Sequence, residues 1–262
     1  MSESAVIVIP ARMASTRFPN KPLAQIKGKE MIWRVWEIAK AVKSASDVII
    51  ATDDEGLKQF AENFGAQVLM TSSFCLTGTD RVAEVSYLLK EAPSIFFSFQ
   101  GDAVLTPPWV IEETLQAMLS DPSIQMATPA VHLKGEALGH FIASKQSGSS
   151  SGTCVTFDKK GNALYFSKAL IPYSREQNSS HRLVYKHIGL YGYRTETLRR
   201  LSALPEGVFE KVEKLEQLRA LENGISIRIV EVDYHGRTSG SVDNPEDVDF
   251  VESIIDKEGE LI

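Results

Sequence analysis

Apolar residues in the first half of the chain alternate between two patterns. Short, mostly apolar runs at residues 6–9, 48–51, 67–70, 95–99 and 125–130 predict strands. The first, at 6–9, is β-branched and uninterrupted, which suits a strand buried on both faces. Between the runs lie stretches with apolar residues at helical spacing. These are residues 30–42, 55–64 (stopped by Gly65), 80–89, and 108–119 with proline in its first turn. Strand and helix in strict alternation predict an α/β fold, with a mostly parallel sheet and helices on both faces.

The pattern changes after Val131. Residues 145–152, K-Q-S-G-S-S-S-G, predict a mobile loop or lid. Runs at 153–157 and 163–167, joined by D-K-K-G-N, predict a hairpin, and 185–193 a further strand. Together they predict a small antiparallel insertion beside the parallel half. A helical region begins at Leu198 and includes 212–222, closed by Asn223-Gly224; a strand follows at 226–230. The last helix starts at Asn244-Pro245-Glu246-Asp247, an Asn cap with proline first and acids in the first turn. No internal repeat is visible.

Composition narrows the class. At 262 residues and 43% hydrophobic content, the chain can bury the core of one large domain, residues 1–262, with an appended lobe. The net charge of -6 argues against nonspecific nucleic-acid binding. Cys75 and Cys154 form no C-x-x-C motif, so reduced thiols are expected. The N-terminal apolar run is too short for a signal peptide, and no stretch approaches the roughly 20 apolar residues of a membrane span. A cytoplasmic protein without membrane insertion is the expectation.

Against that acidic background, Arg12, Arg17 and Lys21 crowd the loop after the first strand. Pro10, Pro19 and Pro22 stiffen this loop and are expected to forbid a helix there. Ligands of open α/β sheets bind beyond the carboxyl ends of the strands, so this loop predicts a polyanion site, a nucleoside triphosphate above all. A solvated basic loop is the plain alternative. No G-x-G-x-x-G follows the first strand, and Gly28-Lys29 lies outside any Walker A pattern. Phosphates would then be held by Arg12, Lys21 and loop N–H groups.

Asp102 follows a buried strand in Gln100-Gly101-Asp102, a position suited to Mg²⁺, which takes one or two carboxylates plus phosphate oxygens. Asp243 is a second metal candidate, and equally an ordinary residue before a helix. Asp53 and Asp54 read as caps of the helix at Glu55. Thr77-Gly78-Thr79-Asp80-Arg81 can bring backbone close to a base or ribose, with Arg81 toward a phosphate, or can be a capping turn. The five histidines include no i,i+4 pair and no G-x-S-x-G occurs, against a zinc site or a hydrolase elbow. On their own, His187 reads as a core histidine and Glu216 and Gln217 as helix residues.

A series of motifs runs in order along nearly the whole chain: P-A-R-M-A-S-T-R-F-P-N-K-P-L, A-T-D-D-E, T-G-T-D-R-V-A-E-V, F-Q-G-D, A-L-Y-F-S-K-A-L-I-P-Y, Y-K-H-I-G-L-Y-G-Y-R, L-E-Q-L-R-A-L-E-N-G and V-D-N-P-E-D. With these the chain resembles the bacterial 3-deoxy-manno-octulosonate (KDO) cytidylyltransferases. The resemblance implies a Rossmann-like nucleotidyltransferase sheet, with residues from about 132 to 195 forming a sugar-binding and dimerisation lobe of a homodimer. It implies a reaction of CTP with a 3-deoxy-2-ulosonic acid, giving the CMP-sugar and pyrophosphate for lipopolysaccharide or capsule synthesis. Catalysis would rest on Arg12, Lys21, Asp102 and Asp243, with Mg²⁺ on the two aspartates. Pro10, Ala11, Arg12, Ser15, Lys21, Gly78, Thr79 and Arg81 would bind CTP. Gln100, Lys168, His187, Tyr191, Glu216 and Gln217 would line the sugar site.

The chain departs from the family pattern at three places. Ala103 and Val104 stand where Glu and Pro are usual, Lys168 where Arg is usual, and residues 145–152 replace a shorter connection. All three are expected near the acid substrate, which opens the alternatives of 8-amino-KDO, another capsular sugar acid or a phosphonate as acceptor. A metal-dependent glycosyltransferase would need a D-x-D motif that Asp102-Ala103-Val104 lacks. A non-catalytic nucleotide-binding homologue is the remaining alternative.

Overall fold

The computed structural model describes residues 3–14, 17–175 and 182–262. In chain order, β1 (Ala5–Pro10) is followed by a 3-10 turn (Lys21–Leu23), β2 (Gln25–Ile26), β3 (Lys29–Glu30) and α1 (Met31–Lys40). Next come β4 (Asp47–Thr52), α2 (Glu55–Asn63), β5 (Gln67–Met70), α3 (Gly78–Leu88), β6 (Ile95–Ser98), α4 (Pro108–Ser120) and β7 (Met126–His132). The second half holds α5 (Gly135–Gln146), β8 (Thr153–Phe157), β9 (Ala163–Ser167), β10 (Tyr185–His187), β11 (Tyr191–Arg194), α6 (Thr195–Ser202), α7 (Val208–Glu213), α8 (Gln217–Glu222), β12 (Ile227–Glu231) and α9 (Glu246–Glu258).

The expected α/β architecture is present. Strands β5, β4, β1 and β6 lie side by side and parallel, and β1 is buried along its whole length. One face packs Ile7 and Ile9 against Ile32, Val35, Leu57, Ile111, Leu115 and Val251 from α1, α2, α4 and α9. The other packs Val6, Val8 and Phe96 against Val82, Val85, Leu198 and Leu218 from α3, α6 and α8. The antiparallel strands β8, β9 and β10 extend the same ten-stranded sheet.

Several local expectations need correction. The prolines after β1 do not exclude every helix, because Lys21–Leu23 makes one 3-10 turn with Pro22 near its start, where a missing N–H costs nothing. Residues 25–30 form the β2–β3 hairpin, so the helix expected from Glu30 starts one residue later, at Met31; the hairpin's turn holds Lys27 and Gly28 at φ 49° and 71°. The segment 145–152 is not all loop, since α5 runs through Gln146. Leu138, Phe141 and Ile142 pack on its inner side at helical spacing, a signal that Gly135 and Gly139 mask.

The predicted strand 185–193 is interrupted at residues 188–190. Both halves run antiparallel to β7, His187 opposite Ala130 and Gly192 opposite Ala127. Their outer neighbours differ, β8 for β10 and β6 for β11, so the interruption lets one run of chain change partners. The helix expected across 212–222 breaks at Lys214, which has φ 55°. The break lets Arg219 Nη2 meet Glu210 Oε1 at 2.6 Å, a pair that a continuous helix would hold about 13 Å apart along its axis. At the last helix the cap is reversed: the Asp247 carboxylate accepts from the N–H groups of Asp243 and Asn244 at 2.8 and 2.7 Å.

Candidate active site

Strand β1 delivers the chain to a cleft of about 240 Å³ beyond the carboxyl ends of β1 and β6. Pro10, Ala11, Arg12, Arg17 and Lys21 line one side, Thr77, Gly78 and Arg81 another, and Gln100, Gly101, Asp102 and Asp243 the floor and rim. Two glycines permit the close packing. A Cβ on Gly101 would sit 3.1 Å from the Pro10 carbonyl, and one on Gly78 would sit 3.1 Å from Gln100 Oε1.

Two pairs of opposite charge meet in the cleft. Lys21 Nζ lies 2.6 Å from Asp102 Oδ2, and Arg17 Nη2 lies 3.3 Å from Asp243 Oδ1. Asp243 reaches the cleft although it lies far along the chain, because Val242 N–H donates to the Asp102 carbonyl at 3.2 Å. Burial pushes the Asp102 carboxyl above its ordinary range; Lys21 opposes that rise and the Asp243 charge adds to it. Among the described residues there is no group of three or more His, Cys, Asp or Glu able to hold a metal. Two carboxylates that share one field at the rim of a polyanion cleft do suit Mg²⁺, which completes its shell with water and phosphate oxygens.

Arg81 is in the cleft wall but committed elsewhere. Its guanidinium pairs with Asp53 at 3.2 Å and donates to Thr71 Oγ1. Asp53 therefore does not cap α2; Asp54 does, accepting from Leu57 N–H at 2.7 Å. Thr77 and Asp80 form a reciprocal capping box at the start of α3. Thr79 is 6% exposed and faces away from the cleft, toward Tyr193. Ser15 lies outside the described residues.

Of the residues expected to line the sugar site, Gln100 is in the cleft itself, whereas His187 and Tyr191 lie with Phe166 on the face of the sheet that packs α3 and α8. His187 is buried between the rings of Phe166 and Tyr191, at centroid distances of 5.0 and 5.5 Å. Its Nε2 is 2.8 Å from Thr128 Oγ1. That hydroxyl donates to the Leu190 carbonyl at 2.6 Å, so it accepts from His187, which fixes the Nε2–H tautomer. Burial, with Lys168 nearby, lowers the His187 pKa to about 3, so the ring stays neutral. Glu216 Oε1 and Gln217 Nε2 are buried with no hydrogen-bond partner among the described residues. Burial raises the Glu216 carboxyl, and hydrogen bonding from Thr79 restrains the rise. Orphaned polar atoms of this kind are costly unless a ligand satisfies them.

Ala103 and Val104, which replace the family's usual acid and proline, do not open into the cleft. They are 8% and 4% exposed and belong to the core packed under α4 and α9, where small apolar side chains fit. Arg17 counts in the sequence among the three cations of the polyanion loop, but only Arg12 and Lys21 are expected there as phosphate ligands. Thr128 carried no signal, being one hydroxyl in an apolar strand.

Residues 6–227 match a family model described as cytidylyltransferase. The 3-deoxy-manno-octulosonate cytidylyltransferase of Maricaulis maris is 49% identical over 259 residues, covering 99% of this chain and 100% of that protein. The 8-amino-3,8-dideoxy-manno-octulosonate cytidylyltransferase of Shewanella halifaxensis is 39% identical over 252 residues, covering 95% and 98%. The solved structure of CMP:2-keto-3-deoxy-manno-octonic acid synthetase complexed with CTP superposes with a TM-score of 0.86 at 37% identity, covering 97% of this chain and 99% of the other.

Proposed function

The chain belongs to the cytidylyltransferase family, and from that premise we propose that it activates KDO with CTP, giving CMP-KDO and pyrophosphate. The observation that carries the reading is the cleft beyond β1 and β6, where Lys21 pairs with Asp102 and Arg17 with Asp243. Each ion pair can be exchanged for one between protein and substrate: the cations turn to phosphate oxygens and the carboxylates are released.

CTP carries roughly four negative charges, and the acceptor's carboxylate adds another, so repulsion opposes their approach. Arg12, Arg17 and Lys21 offset it from the loop after β1. Asp102 and Asp243 are the residues that would hold Mg²⁺, which when bound supplies further positive charge and makes a nearby hydroxyl more acidic. The acceptor's anomeric oxygen forms a bond to the α-phosphorus as the bond to the bridging oxygen of pyrophosphate breaks. The hydroxyl proton leaves to water, since no side chain in the cleft stands out as a base. His187, neutral and held by Thr128, presents Nδ1 as an acceptor, and Gln217 presents an amide N–H. Both suit the hydroxyls of a polyhydroxylated acid.

KDO is the acceptor named for the relative from Maricaulis maris, and 8-amino-KDO that for the more distant Shewanella halifaxensis relative. The burial of Ala103 and Val104 removes one reason to look beyond KDO. A homodimer acting in lipopolysaccharide or capsule synthesis completes the proposal. Exposed Leu164, Val208 and Val212 give β9 and α7 an apolar surface suited to a second copy. The test is pyrophosphate release with each of four nucleoside triphosphates against KDO, 8-amino-KDO and related acids, with and without Mg²⁺. Turnover confined to CTP, KDO and Mg²⁺ is expected; turnover with another triphosphate or none with any acid would overturn the assignment.

A further inference from the structure

Between His187 and Gly192 the chain advances five residues while the facing strand β7 retreats three, from Ala130 to Ala127, so two residues bulge out of the ladder. The bulge sets the side chains that flank it. In a regular strand, residues four apart stand about 13 Å from one another. Here His187 and Tyr191, four apart, bring their rings to 5.5 Å between centroids. Both are among the residues expected to line the sugar site.

One hydroxyl holds this bulge. Thr128, on β7, is fully buried, and its Oγ1 lies 2.6 Å from the Leu190 carbonyl oxygen, 3.2 Å from that of Ile188 and 2.8 Å from His187 Nε2. The Ile188 carbonyl also accepts from Leu190 N–H at 2.7 Å, so the short contact to Leu190 is the one that needs the hydroxyl proton. Toward His187 the hydroxyl then has only lone pairs, and Nε2 must carry the ring proton. The neutral ring is left with its lone pair on Nδ1. Backbone and ring are thus fixed by the same atom. Without it the Leu190 carbonyl loses a donor in a dry setting, and His187 has no reason to keep one tautomer.

We propose that Thr128 is a positioning residue for the sugar-acid acceptor: its hydroxyl locks the bulge that brings His187 and Tyr191 together and keeps the His187 proton on Nε2, so that Nδ1 accepts from an acceptor hydroxyl. The inference rests on the KDO reading above. It gives a buried strand residue that touches no substrate a part in acceptor recognition, and none in nucleotide binding.

The experiment reads the His187 tautomer by nitrogen NMR of the histidine-labelled protein, with His187→Gln to assign the signal, alongside steady-state kinetics of Thr128→Val and Thr128→Ser with each substrate varied. In wild type the protonated nitrogen should be Nε2. Thr128→Val is expected to lose that single tautomer and to raise the KM for KDO about tenfold, equivalent to about 1.4 kcal/mol. Its KM for CTP should stay within about twofold of wild type. Thr128→Ser keeps the hydroxyl and should keep both the Nε2 proton and most of the KDO affinity. A wild-type ring protonated on Nδ1 overturns the inference, whether or not Thr128→Val folds. An unchanged KDO KM in Thr128→Val overturns it too, as does an equal or larger rise in the CTP KM. If Thr128→Ser is as impaired as Thr128→Val, the methyl group and not the hydroxyl matters, and the inference also fails. Wild-type enzyme inert toward CTP with KDO would overturn the functional reading and this inference with it, whereas active wild type with the proton on Nδ1 overturns this inference alone.

Discussion

The two walls of the site handle polarity in opposite ways. Around the nucleotide cleft, charged groups neutralise one another, as in Lys21–Asp102 and Arg17–Asp243. On the side proposed to bind the sugar, Glu216 Oε1 and Gln217 Nε2 are buried with no partner among the described residues, and His187 is neutral. The difference matches the ligands. A highly charged triphosphate can displace ion pairs by exchange, with little net desolvation. Hydroxyl groups bind weakly in water and gain only where the site's own dipoles are desolvated and waiting. Specificity for the acid should therefore come from the buried wall, and rate from the charged one.

The largest effect should come from the charged wall. Asp102→Asn is expected to lower kcat about a thousandfold at saturating CTP and Mg²⁺, with the KDO KM little changed, as measured by pyrophosphate release. Near-wild-type turnover would remove Asp102 from catalysis and erase the contrast between the walls. Next is Glu210→Gln, which strands Arg219, only 8% exposed and on the same helix as Gln217. A loss of about 3 kcal/mol in denaturant unfolding is expected, and an unchanged midpoint would show the pair to be dispensable.

The pH dependence of stability sharpens the same comparison. With a folded pKa of about 3, His187 refuses a proton that the unfolded chain binds below about 6.5. Its contribution to stability is therefore complete above pH 6.5 and is lost progressively as pH falls toward 3. His187→Gln should flatten the acid side of the stability curve over that window. An ordinary histidine titration in the folded protein, followed by NMR, would contradict the neutral wall. The smallest effect is expected at Arg17, whose pair with Asp243 is largely exposed, at 68% and 48%. Arg17→Ala should leave thermal stability unchanged and raise the CTP KM no more than a few-fold. A loss as large as that of Asp102→Asn would show that Arg17 is bound into the reacting centre.

Much of this was legible before any coordinates. The buried run at residues 6–9 and the cation-bearing loop after it marked the parallel sheet and its ligand end, because unbroken β-branched stretches and helical spacing are local properties. Asp54 as a cap and Gly65 as a stop are local in the same sense. The misses share a cause. Helix α5 hid behind glycines, the break at Lys214 answers to a partner on the next helix, and the interruption at residues 188–190 depends on Thr128 holding the Leu190 carbonyl from a different strand. Family motifs named His187 and Glu216, yet gave no hint that Thr79 and Gly78, adjacent in one motif, face different walls.

Residue order along the chain was enough to settle the alternation of strand and helix, the end of the sheet where an anion binds, and the kinds of side chain available to bind it. It could not settle which charges meet. Asp243 reaches Asp102 only because a backbone hydrogen bond joins segments more than a hundred residues apart, and Glu210 reaches Arg219 only because a helix breaks. Short-range preferences are set by each residue's own backbone and side-chain sterics. Charge pairing, desolvation and orphaned polar atoms arise only when distant segments exclude water from one another, and the site's chemistry depends on all three.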